Sequence, residues 1–190
     1  MSLTTSVSSA QTDPLVWIFD INEQSVRNGP EADGSTNSPG SGFGTVTLDT
    51  ETNLLSYDFT WSDLFGDLTK LHIHGPASAD MSNPQHIVEI FGPPEVPTEL
   101  ATTSGTVSGS FVLQTLEQEG FDPLSPDFIT ETLTNGQAYL NVHTTVFGMG
   151  EIRGNLGTPV TQTVPEPNSF LVFGLGFAAL ALRRRANPIS

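Results

Sequence analysis

Residues 54–61 read LLSYDFTW, and this octet decides the fold class. Leu55, Tyr57, Phe59 and Trp61 fall on one side of a period-two repeat, with Ser56, Asp58 and Thr60 on the other. Strict alternation of this kind marks a half-buried β-strand, because successive side chains of a strand point to opposite faces. Working outward, residues 44–48 (GTVTL) form a second strand, joined to the first by a turn at 49–53. Further strands are expected at 15–21 (LVWIFDI), 71–74 (LHIH), 86–91 (HIVEIF), 103–113, 137–143 (QAYLNVH) and 150–156 (GEIRGNL). Gly-Pro or Asn-Gly signals separate most of them. Residues 28–44 are a Gly, Pro, Ser and Asn-rich loop, and 127–134 a short helix or turn. The fold class is therefore all-β: a Greek-key β-sandwich of seven to nine short antiparallel strands spanning 15–157.

Composition agrees with that reading. Glycine and proline together number 32 of 190 residues, and apolar residues make up 36%. There is no cysteine, which removes disulfides and thiolate metal sites. Before Pro165 the chain holds 20 acidic residues against three basic ones, Arg27, Lys70 and Arg153, a formal −17. Such a body repels a phosphate backbone, so nucleic acid is not an expected partner.

The C-terminal end has a different composition. Residues 170–182 (FLVFGLGFAALAL) are uncharged, and Arg183, Arg184 and Arg185 follow at once. Thirteen residues make a helix of about 20 Å against a hydrocarbon core of about 30 Å, a marginal span. The arginines mark its cytoplasmic side, which places everything before Phe170 across the membrane. Residues 158–164 read as a linker, 165–186 as the tail and 187–190 as its end. Residues 1–14 are expected to be disordered, and 1–12 show neither the basic n-region nor the apolar h-region of a signal peptide. Pro165-Glu166-Pro167, the apolar run and the arginine cluster together resemble a PEP-CTERM sorting signal. That resemblance implies an exosortase-type processing enzyme as partner and transient inner-membrane anchoring. Release to the periplasm, cell surface or extracellular matrix would follow, where polysaccharide or surface proteins are the implied neighbours.

All four histidines fall in or beside strand motifs: His72, His74, His86 and His143. In His72-Ile73-His74 the period of two sends both imidazoles to one face, a bidentate start for copper, zinc or nickel. A neighbouring strand could bring His143 to the same place. The alternative reading is structural, with imidazoles bonded to carbonyls and Glu151 paired with Arg153 or Lys70.

Three segments, residues 71–77 (LHIHGPA), 135–144 (NGQAYLNVHT) and 150–156 (GEIRGNL), resemble the CHRD domain. This is an extracytoplasmic β-sandwich module also found in the vertebrate morphogen antagonist chordin. The pattern is similar, more distantly, to copper-zinc superoxide dismutase, which also holds copper through an HxH strand and a later strand histidine. By position, that similarity implies copper ligation by His72, His74 and His143; His86, outside the family pattern, is a fourth candidate ligand and Arg153 a candidate anion contact. No GxSxG elbow, phosphate loop or dinucleotide fingerprint occurs. The first reading is thus a non-enzymatic binding or structural protein. The second is a copper protein with superoxide dismutase-like or electron-transfer activity.

Overall fold

The computed structural model of the chain describes residues 13–27, 35–91 and 100–160. Eight strands occur in the order β1 (Leu15–Asn22), β2 (Ser41–Asp49), β3 (Leu54–Ser62), β4 (Leu68–His74), β5 (His86–Phe91), β6 (Gly105–Val112), β7 (Tyr139–Thr144) and β8 (Ile152–Asn155). One helix, α1 (Pro126–Thr134), lies between β6 and β7. The expected all-β fold is the observed one. Hydrogen bonding is continuous in the order β5-β4-β7-β8-β1-β2-β3-β6, so the strands make a single curled sheet. Its two halves meet at a thin seam: Asn22 of β1 opposite Arg153 of β8 is the one register pair between them. The chain crosses between the halves after β3 and returns after β5.

A single apolar cluster fills the curl. Trp17, Val46, Phe59 and Trp61 enter it from one half; Leu71, Ile73, Leu140, Val142 and Ile152 enter from the other. The alternation in β3 holds, with Leu55, Phe59 and Trp61 buried while Asp58 and Thr60 stay exposed. β2 begins at Ser41, earlier than the expected 44, because its glycines serve packing and not a turn. Gly44 stands opposite Phe19 in register, and a Cβ there would meet the Phe19 ring at 2.5 Å. Gly105 and Gly109 of β6 lie in the same way beneath Trp61 and Tyr57.

The segment at 127–134 is a true helix. Ser125 accepts a hydrogen bond from the Phe128 amide as its N-cap, Pro126 opens it, and Ile129 and Leu133 bury its inner face. Beyond β8, Val160 still bridges back to Val16. The sorting tail, with Pro165, Glu166, Pro167, the run 170–182 and Arg183, Arg184 and Arg185, lies outside the described residues. So do residues 1–12 and part of the 28–44 loop. Among the described residues no helix is long and apolar enough to cross a membrane.

Candidate metal centre

β4 and β7 are neighbours, and each divides its side chains between two faces. Leu71 and Ile73 of β4, with Leu140 and Val142 of β7, point into the core. By the period of two, Lys70, His72 and His74 share the opposite face of β4, and Tyr139, Asn141 and His143 that of β7. The register sets Lys70 against His143, His72 against Asn141 and His74 against Tyr139. His143 is therefore a diagonal neighbour of His72, within reach of its ring. Ring centroids lie 5.2 Å apart for His72–His143, 5.6 Å for His72–His74 and 5.8 Å for His74–His143. One ligand nitrogen from each of the three lies within 4.8 Å of the other two, and all three residues are buried.

Two loops bury this face and orient its rings. His74 Nδ1 lies 3.0 Å from the Asn83 carbonyl, and His143 Nδ1 lies 3.0 Å from the Gly148 carbonyl. A carbonyl only accepts, so each Nδ1 carries the hydrogen and each Nε2 keeps a lone pair. The Nε2 atoms of His72, His74 and His143 are all buried without a hydrogen-bond partner. Buried polar atoms are rarely left so, and three in one place call for a bound partner such as water or an ion. Burial, with repulsion from the other imidazoles, pushes His72 down to about 2 and His74 down to about 3. Burial also lowers His143 and His86. The rings are neutral at physiological pH, the form in which imidazole binds a metal.

His86 stands opposite His74 on β5, half-buried, its ring centroid 4.5 Å from that of His72. Its Nδ1 is also buried and unpartnered. It lies beside the trio and is not part of the mutually close set. A cavity of about 560 Å³ opens onto the four histidines, with Lys70, Tyr139 and Asn141 in its wall.

Arg153, the expected anion contact, is placed differently. It is buried on β8, its guanidinium 3.5 Å from the centroid of the Tyr139 ring, and it is not among the residues lining the cavity. Its Nε donates to Asn155 Oδ1, and its two terminal nitrogens donate to the carbonyls of Met81 and Ser78. It thus holds the loop that covers the histidines. Tyr139 continues the stack onto His74, with ring centroids 5.2 Å apart and planes 10° from parallel. The Tyr139 hydroxyl donates to the Asn83 carbonyl and accepts from the Asn83 amide, at 2.9 and 3.0 Å. Sequence reasoning missed Tyr139, although the alternation in QAYLNVH already put it on the face of His143. Asn83 left no such signal, since its role is carried by backbone atoms.

Glu151 pairs with neither Arg153 nor Lys70. It is fully buried, and its carboxylate accepts from the Ser38 and Thr144 hydroxyls and from the Phe65 and Gly66 amides. Four local donors saturate it, which removes the need for a cation.

The donor set fits a transition metal of the copper, zinc or nickel class: three neutral imidazoles, convergent unpartnered nitrogens and no thiolate. Imidazoles fixed through the other ring nitrogen are the usual arrangement of histidine ligands. Two family models match the chain, a CHRD domain over residues 24–156 and a PEP-CTERM protein-sorting motif over residues 163–185. No curated protein and no solved structure matches it significantly. All four histidines fall within the first matched segment.

Proposed function

The chain belongs to the CHRD domain family and carries a sorting signal of exosortase-processed, exported proteins; on that premise we propose that it holds a copper ion outside the cytoplasm through His72, His74 and His143. The observation that carries this reading is a trio of buried histidines on one sheet face, one ligand nitrogen of each within 4.8 Å of the others, whose Nε2 atoms are all unpartnered. His86 is a reserve donor at the rim. Copper(II) heads the divalent affinity order, and a site of imidazoles alone satisfies it. Bound there, copper would supply a Lewis-acidic, redox-active centre. The protein's own part is to keep the three rings neutral by burial, with His74 and His143 aimed by the carbonyls of Asn83 and Gly148. The role is one of binding at the cell surface or in the surrounding matrix, with extracellular polysaccharide or surface proteins as neighbours. Its acidic body suits such a place, being soluble and repelled by nucleic acid.

Calorimetric titration of the purified chain with copper(II) tests this. One saturable equivalent at neutral pH is expected; His74→Ala should lose at least about tenfold in affinity, and His86→Ala less. No saturable binding would return the histidines to a purely structural role.

A further inference from the structure

The histidine cavity differs in charge from the rest of the chain. The body before Pro165 carries 20 acidic residues against three basic ones. Among the described residues that line the cavity none is acidic, and one is Lys70, the chain's single lysine. Lys70 faces His143 in the β4–β7 register, and it forms no ion pair among the described residues. Its charge is felt at His72, His86 and His143. Glu89, opposite His72 on β5, is exposed and lies outside the cavity wall, though its carboxylate is felt at His86 ahead of the Lys70 ammonium. Arg153 is turned away, spent on the loop carbonyls. An ammonium without an ion-pair partner, in a cavity wall that holds no carboxylate among the described residues, complements a negative ligand.

Three protein ligands also leave a four-coordinate ion one position to fill, as in sites that keep a place for an exogenous group. We propose that the cavity admits a small anion, which takes that position and sets its charge against the Lys70 ammonium. The inference rests on the metal reading above and adds the class of ligand to it. Lys70 is the residue that selects the anion; the histidines hold the metal.

The test uses the full-length chain in mild detergent, loaded with one equivalent of copper(II) and titrated with sodium azide. Electron paramagnetic resonance and the azide-to-copper charge-transfer band follow binding. A saturable change is expected. Lys70→Gln should weaken azide by about threefold to tenfold, the effect of one half-buried charge, with copper affinity unchanged or slightly raised. Lys70→Arg should restore the azide affinity. A normal copper signal that azide leaves untouched overturns the anion inference alone, as does a Lys70→Gln affinity within about twofold of the parent. Absence of any specific copper signal overturns this inference and the metal reading together.

Discussion

Glu151 shows how single residues support the site without touching it. Its two oxygens collect donors from three separate places: Ser38 before β2, the Phe65 and Gly66 amides between β3 and β4, and Thr144 at the end of β7. A glutamine there would turn an amide NH₂ toward one pair of donors and leave them unsatisfied. Glu151→Gln should therefore destabilise the fold by about 2–3 kcal/mol, read as a lower urea midpoint, whereas exposed Glu119→Gln should change it little. At this scale the sequence was legible where the period of two applies. His72 and His74 sit on one face as the spacing required, and His143 joins them through strand pairing. Arg153 and Glu151 were not legible, because most of their partners are hydroxyls and backbone atoms on segments distant in sequence. The Arg153–Tyr139–His74 stack likewise depends on the register between β4, β7 and β8, which no local pattern encodes.

Strands declared themselves through alternation, and their ends through packing. β3 carries the clearest signal, and its two faces should respond differently to truncation. Phe59 is 1% exposed and meets Phe19 and Tyr57, while Asp58 faces water. Phe59→Ala should cost about 3–5 kcal/mol by the cavity it leaves, and Asp58→Ala well under 1 kcal/mol. Equal shifts in the unfolding midpoint would show the register to be reversed. Glycine is ambiguous, and it hides the true start of β2 in the sequence. The same residue that breaks a strand also admits an aromatic ring from the neighbouring one, as Gly44 does for Phe19. Only the partner strand decides between these roles. The helix at Pro126–Thr134 was ambiguous for a different reason: nine residues give only about two and a half turns of periodicity, and its identity rests on the Ser125 cap and the Pro126 start.

The described residues form a curled sheet with an apolar interior and, on the outside of one half, a buried cluster of imidazoles. That placement makes its stability depend on pH. Folded His72 and His74 titrate near 2 and 3, far below the ordinary value of 6.5. Between those limits the unfolded chain binds protons that the folded chain refuses, so stability is full above about 6.5 and falls as the pH drops below it. The urea midpoint of the metal-free chain should decline from pH 7 to pH 5, and less steeply in His74→Ala. Bound copper adds to the same trend, because protons compete for the ligand nitrogens. The architecture was legible as all-β from alternation alone, whereas the single continuous sheet was not, since its seam is one residue pair between β1 and β8. If three imidazoles share one ion, nitrogen hyperfine structure counts them directly. Copper(II) bound at one equivalent to the full chain should show coupling to three imidazole nitrogens, falling to two in His74→Ala. A spectrum identical to that of the His72→Ala, His74→Ala, His143→Ala triple variant would mean that these histidines hold no copper.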